Sequence, residues 1–165
     1  FFQAEDGIRA LVRSRGLGDV YKRQVRGHGV ASGCSNDNRF PDGTLSLQCP
    51  IFESMGLNLT GYYKATINVS VHPFKPKPIK AFQTFRRVKW HPDCAAEDFS
   101  FFEVKLNLAD NNSVSGLIYW PHPETKPEHF QDPHVIEIMA PKIQGLTTGD
   151  KISFKVDKQQ MHFHK

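Results

Sequence analysis

The sequence predicts a mainly β protein, either a small β-barrel or a β-sandwich. Short segments in which apolar and polar residues alternate recur along most of the 165 residues, and Pro, Gly and Asn separate them. Many short strands with turn residues between them are typical of small barrels and sandwiches. Beyond residue 24 the chain has the length of one domain with a single core.

The elements follow from this alternation, taken in chain order. One short helix is expected around Pro50–Met55. The three prolines of HPFKPKPIK, 72–80, predict a stiff loop, and the final HFHK is expected to be a frayed tail. The predicted strands are 45–48, 66–72, 82–90, 101–108, 115–120, 134–140 and 151–156.

The first 24 residues, Phe1–Gln24, differ from the rest of the chain. They show neither strand alternation nor a sustained helical stripe, and they lack the apolar core and cleavage site of a signal peptide. The segment resembles a translated sequencing-adapter read-through. It holds five Lys/Arg and three Asp/Glu, which is half of the net charge of +4. We therefore expect a non-native or disordered segment over 1–24 and a single domain over 25–165.

Composition excludes several classes of protein. No apolar run approaches the roughly 20 residues that a membrane span needs, so we expect no membrane partner. Cys34, Cys49 and Cys94 are odd in number and lack Cys-x-x-Cys spacing, which argues against a disulfide framework and a zinc ribbon. These observations predict a cytoplasmic protein. The basic and aromatic stretch QTFRRVKW, 83–90, is of a kind that can bind nucleic acid, but the mild charge favours a solvated strand face.

A Thr-x-Asn pair opens the most regular strand. In GYYKATINVSV, Gly61–Val71, Thr66 and Asn68 share the polar face. Asn is depleted in strands, so its presence invites a functional explanation. Side chains two residues apart on a strand point the same way, and Mg²⁺ prefers oxygen ligands. The alternative is a pair of polar residues on a solvated strand face.

Six motifs follow one another in a fixed order along the chain. They are GHGVASG (27–33), IFESMGL (51–57), KATINV (64–69), PHPET (121–125), VIEIMAP (135–141) and TTGDKISFKV (147–156). Together they resemble the archaeal CTP-dependent riboflavin kinases. The resemblance spans 25–156 and implies a cradle-loop β-barrel of six or seven strands with one short helix. It further implies transfer of a phosphoryl group from CTP or another nucleoside triphosphate to riboflavin, giving FMN.

The resemblance also implies roles for individual residues. Thr66 and Asn68 would hold Mg²⁺ against the phosphates. Thr125 and Glu137 would contact the flavin, and Glu137 would be the catalytic residue that accepts the hydroxyl proton. The implied nucleotide contacts are Gly27, His28, Gly29, Val30, Ala31, Ser32 and Gly33, followed by Lys142, Ile143, Gln144 and Gly145.

Departures from the family pattern leave a second function open. The segment CSNDNRFPDG, 34–43, is an insertion, Ala65 replaces a family glycine, and KIQGL, 142–146, lacks the family's Arg. These differences favour a non-catalytic barrel module that binds a flavin or a nucleotide.

A histidine-rich loop offers a further alternative. Its residues could hold a transition metal, but their spacing matches no established zinc pattern, and the prolines among them favour an ordered rim loop. In place of a metal site, Lys126 and His129 could contact phosphate as part of a loop that covers the substrate. No Ser-His-Asp or Cys-His arrangement has local support. The metal alternative rests on His122, Glu124, Glu128, His129 and His134.

Overall fold

The computed structural model of the chain describes residues 42–108, 111–126 and 131–165, together with the backbone of 17–23. It contains one helix and nine strands within these ranges. In chain order they are β1 (Leu17–Arg23), α1 (Thr44–Ser54), β2 (Ile67–Ser70), β3 (Lys75–Pro78), β4 (Gln83–Val88), β5 (Glu97–Asn107), β6 (Ser113–Pro121), β7 (Val135–Met139), β8 (Lys151–Asp157) and β9 (Met161–His164).

The strands form two antiparallel sheets. The larger sheet has the order β1-β8-β5-β6-β7-β2, with β4 beside β5, and the smaller one pairs β3 with β9. Within the described ranges no ladder joins the two end strands, β1 and β2. The fold is therefore mainly β, with antiparallel sheets and one short helix, as the alternation predicts.

The long strand β5 has two different neighbours on one side. Its first half pairs with β4 and its second half with β8. Between them the Glu103 N–H donates to Oε1 of Gln160 at 2.8 Å, and Nε2 of Gln160 donates to Oε2 of Glu103 at 2.9 Å. The turn between β8 and β9 thus supplies the hydrogen bonds that neither neighbouring strand provides at this point.

Helix α1 covers one face of the large sheet. The Phe52 ring lies 5.0 Å from the rings of both Phe99 and Phe101, centroid to centroid. The other face of the sheet buries a second cluster. The residues packed between α1 and the sheet are Leu45, Cys49, Phe52, Leu57, Leu59, Phe85, Val88, Phe99, Phe101, Leu117, Tyr119 and Met139.

The predicted strand over 45–48 is wrong, because these residues begin α1. Leu45, Gln48, Cys49 and Phe52 are all buried. Their spacing of three and four residues is that of one helix face, which outweighs the brief alternation of LSLQ. The helix expected around Pro50–Met55 is the second half of the same element.

The loop predicted over 72–80 and the frayed tail predicted at HFHK are also wrong. Lys75–Pro78 pairs with Met161–His164, with Pro76 opposite Phe163 and Pro78 opposite Met161. In a two-stranded sheet each strand has one outer edge that pairs with no other strand. A proline whose nitrogen faces that edge removes no hydrogen bond from the ladder, although it lacks an N–H.

The remaining predicted strands are confirmed with shifted ends. The largest shift is in β5, which begins at Glu97 rather than residue 101. Leu17–Arg23 pairs with Lys151–Asp157, whereas the sequence predicted no element there. The rest of the segment 1–24 lies outside the described residues.

Candidate functional site

The Thr-x-Asn pair meets the glutamate of the VIEIMAP motif. Strands β2 and β7 are antiparallel, and Asn68 lies directly opposite Glu137. Thr66 Oγ1 donates to Asn68 Oδ1 at 2.9 Å and lies 3.5 Å from Glu137 Oε1. We call Thr66, Asn68 and Glu137 the Thr66 cluster. It joins a hydroxyl and an amide oxygen of one segment to a carboxylate 71 residues after Thr66 in the chain.

The cluster lies at the edge of the core beneath α1. Asn68 is 8% exposed, and Thr66 and Glu137 are half-buried. On the next strand Tyr119 lies opposite Glu137, and its hydroxyl donates to Oε1 of the helix residue Gln48 at 2.7 Å. The Thr66 cluster therefore borders buried polar groups on one side and remains accessible on the other.

The environment of Tyr119 keeps its hydroxyl protonated. Burial, then the negative charges of Glu137 and Glu97, hold the pKa of Tyr119 well above its usual value of 10.0. Glu97 is itself buried and accepts a hydrogen bond from Trp90 Nε1 at 2.6 Å. The phenol thus acts as a neutral donor in this part of the core.

The donor set of the Thr66 cluster fits Mg²⁺. This ion takes oxygen ligands at about 2.1 Å in octahedral geometry, so two adjacent ligands lie about 3.0 Å apart. Thr66 Oγ1 and Asn68 Oδ1 are hydrogen-bonded to each other at 2.9 Å, so the two oxygens are close enough for both to turn to one ion. Few protein ligands are needed, since Mg²⁺ in nucleotide sites keeps water and phosphate oxygens as well.

Thr125, the second predicted flavin contact, has partners elsewhere. Its Oγ1 accepts a hydrogen bond from the Asp98 N–H at 2.9 Å and donates to the His122 carbonyl at 3.2 Å. None of the hydrogen bonds described for the chain joins it to Glu137. The structure brings Thr66, Asn68 and Glu137 together but leaves Thr125 with a different group.

Only the second group of predicted nucleotide contacts lies within the described residues. Gly27–Gly33 lies outside the described residues. In the segment after β7, the Lys142 ammonium lies 5.4 Å from the centroid of the Tyr63 ring, and Ile143 packs against the core. Gln144 and Gly145 are exposed. Lys142 is exposed like Gln144 and Gly145, so of these four residues only Ile143 is partly buried.

The histidine-rich loop does not assemble as one group among its described members. His122 Nδ1 lies 3.2 Å from Glu124 Oε1, whereas His134 Nδ1 lies 2.9 Å from the Phe74 carbonyl oxygen. Glu128 and His129 fall outside the described residues. In the part of the chain that the structure describes, no three His, Cys, Asp or Glu side chains form a potential metal site. The phosphate role of Lys126 and His129 stays a prediction.

Sequence reasoning missed Gln48 and Tyr119. The signal for Gln48 was its place in the helical stripe that also contains Leu45, Cys49 and Phe52. Tyr119 carried no such signal, because its partner lies 71 residues away.

No protein-family model matches the chain, and no significant match was found among curated proteins. Within the described residues, no helix is long and apolar enough to cross a membrane.

Proposed function

We propose that the protein is a Mg²⁺-dependent small-molecule kinase resembling the CTP-dependent riboflavin kinases, built on a cradle-loop barrel. The observation that carries the proposal is the Thr66 cluster. Three oxygen-bearing side chains that the motifs single out lie together, and two of them, Thr66 and Asn68, are close enough to share one Mg²⁺ beside the Glu137 carboxylate. The substrates are a nucleoside triphosphate, CTP or another, and riboflavin.

Each residue of the Thr66 cluster has a stated role. Thr66 and Asn68 would hold the metal, which neutralises charge on the nucleotide phosphates when bound. Glu137 would orient the ribityl hydroxyl and accept its proton as the oxygen attacks the terminal phosphorus and the nucleoside diphosphate leaves. Gly27–Gly33 would cradle the phosphates through backbone N–H groups, a role that rests on the sequence pattern.

One observation favours the alternative of a non-catalytic module. Thr125 is held by Asp98 and His122, so only one of the two expected flavin contacts belongs to the Thr66 cluster. Binding of a nucleotide with its metal does not require the flavin contacts. Phosphoryl transfer requires an oriented acceptor as well.

A chromatographic assay for FMN tests the proposal. The full chain is incubated with riboflavin, MgCl₂ and either CTP or ATP. We expect FMN from one donor, and its loss in Thr66→Val and Asn68→Ala. Ser70→Ala is the matched control, because Ser70 follows on the same strand and face but is not in the Thr66 cluster.

One result would count against the kinase, and a follow-up measurement on the same protein would test the binding module. Folded protein that forms no FMN with either donor excludes riboflavin kinase activity. If that protein still gains thermal stability from MgCl₂ with a nucleotide, the binding module is supported, because a ligand raises the melting temperature by binding the native state.

A further inference from the structure

A second group of catalytic residue types lies on the opposite face of the large sheet. Ser100 Oγ is 2.7 Å from His122 Nε2, and His122 Nδ1 is 3.2 Å from Glu124 Oε1. We call Ser100, His122 and Glu124 the Ser100 triad. The sequence offers no hint of it, because Ser100 and His122 are 22 residues apart on different segments.

The Ser100 triad is separate from the Thr66 cluster. Ser100 lies between Phe99 and Phe101, whose rings contact Phe52 of α1. Since successive side chains of a strand point to opposite faces, Ser100 faces away from the helix. Glu137 lies on the helix side with Tyr119. One sheet therefore carries the two groups on different faces.

The hydrogen bonds of the Ser100 triad can run in the donor-to-acceptor direction that activates a serine. A neutral imidazole accepts at one nitrogen and donates at the other. If Ser100 donates to Nε2, the proton on Nδ1 points to the Glu124 carboxylate, which fixes that tautomer. Thr84 Oγ1, 2.8 Å from Ser100 Oγ, is placed to donate to the serine oxygen. Nucleophile, base and orienting carboxylate thus stand in the order that nucleophilic catalysis uses.

The segment that carries His122 and Glu124 is held firmly against β5. The His122 N–H donates to the Asp98 carbonyl at 2.8 Å, and the Asp98 N–H donates to Thr125 Oγ1 at 2.9 Å. The Thr125 N–H in turn donates to the His122 carbonyl at 3.0 Å. These bonds fix the imidazole without using either ring nitrogen, so the base is positioned before any substrate binds.

The exposure of the three residues limits the substrate. Ser100 is 4% exposed, the His122 side chain 14% and the Glu124 side chain 68%. Trp120, directly opposite Ser100 on β6, is half-buried and borders the hydroxyl with an apolar surface. A nucleophile this buried, beside an indole, suits an ester with a small, unbranched acyl group.

We propose that the Ser100 triad is a nucleophilic site that cleaves small acyl esters, independent of the kinase function. Ser100 Oγ attacks the acyl carbon and its proton passes to His122 Nε2. The ester bond breaks, and the alcohol leaves with that proton, giving acyl-Ser100. Water then attacks the acyl carbon, gives a proton to His122, and releases the carboxylic acid as the proton returns to Ser100.

Covalent labelling of the full chain tests the site directly. Diisopropyl fluorophosphate bonds to an activated serine oxygen and releases fluoride, and peptide mapping by mass spectrometry locates the adduct. We expect the label on Ser100 of the wild-type protein. Mapping the wild type requires no variant to fold. Absence of label, or label confined to other residues, would overturn the proposal.

Hydrolysis of p-nitrophenyl acetate adds the kinetic test. Ser100→Ala and His122→Gln should each lower the rate roughly 100-fold or more, the usual contribution of a nucleophile and its base. Glu124→Gln should lower it less, since Glu124 orients the imidazole and is largely exposed. Ser115→Ala, an exposed serine of β6, is the matched control and should retain the wild-type rate. A folded Ser100→Ala protein with that rate would contradict the proposal.

Discussion

Tyr119 links the sheet to α1 through its hydroxyl and lies opposite Glu137 of the Thr66 cluster. Its ring packs among the phenylalanines beneath α1, and its hydroxyl donates to Gln48. Both partners are buried, so neither has water as a substitute. A buried acceptor that loses its donor costs about 1–3 kcal/mol.

The first prediction concerns this hydrogen bond. Tyr119→Phe keeps the ring but leaves Gln48 Oε1 without the Tyr119 donor, so the free energy of unfolding should fall by about 1–3 kcal/mol in urea titrations. Tyr63→Phe is the control, because Tyr63 is 51% exposed and should change stability by less than about 0.5 kcal/mol. Equal effects of the two substitutions would show that the bond to Gln48 contributes nothing.

The second prediction concerns pH and the thiol of Cys49. Desolvation raises the pKa of Cys49 from 9.0 to about 11. A group whose pKa is higher in the folded state contributes stability that is complete below its unfolded value, here 9.0, and is lost as the pH rises toward 11. The melting temperature should therefore fall over this range, and Cys49→Ala should make the fall shallower.

Cys94→Ala is the control for that titration, since Cys94 is only partly buried. It should leave the slope of melting temperature against pH unchanged between pH 9 and 11. A Cys49→Ala protein whose slope equals that of the wild type would place the alkaline loss of stability in other groups.

At the scale of elements, β6 and β7 approach unusually closely at Gly116. A Cβ built at this residue would lie 2.6 Å from the Met139 carbonyl oxygen, a backbone atom that cannot rotate away. Glycine is therefore required for the β6–β7 ladder, which places Tyr119 beside Glu137.

The third prediction follows from this contact. Gly116→Ala should destabilise the protein by about 1–3 kcal/mol, because the two strands must separate to admit the methyl group. Thermal unfolding measures the loss. Ser115→Ala adds no atoms at the neighbouring exposed position and should be nearly neutral. An unchanged melting temperature in Gly116→Ala would show that the strands are not so close.

The fourth prediction concerns the gap between β4 and β8. Gln160→Ala removes the side chain that accepts from the Glu103 N–H, so hydrogen exchange at the Glu103 amide should accelerate. Gln159→Ala changes the exposed neighbour in the same turn and should leave that amide protected. If both variants exchange alike, strand pairing alone protects Glu103.

The sequence predicts most strands because their alternation is local. It fails where a partner distant in the chain decides the structure. Nothing near Lys75–Pro78 marks it as a strand until Met161–His164 pairs with it. The four residues of LSLQ fit both the two-residue period of a strand and the 3.6-residue period of a helix. Only the burial of Cys49 and Phe52, further along the chain, shows that the helical period is the correct one.

For the whole molecule, the sequence anticipates one of the two sites and misses the other. The Thr66 cluster could be anticipated because its members belong to motifs, and an antiparallel pair of strands brings Asn68 opposite Glu137. The Ser100 triad could not, because it depends on where the segment after β6 meets β5. The PHPET motif predicts that Thr125 belongs with Glu137 of the Thr66 cluster, but its hydrogen bonds place it beside the Ser100 triad.

The central claim is that the Thr66 cluster binds a divalent cation, and paramagnetic broadening tests it most directly. The full chain, labelled with ¹⁵N, is titrated with MnCl₂ in the presence of CTP, since Mn²⁺ shares the oxygen ligands of Mg²⁺. We predict that the amide signals of 65–69 and 136–138 broaden first and recover with excess MgCl₂. Asn68→Ala should abolish the effect and Ser70→Ala should preserve it. Broadening that spares these amides, or that persists unchanged in Asn68→Ala, would contradict the claim.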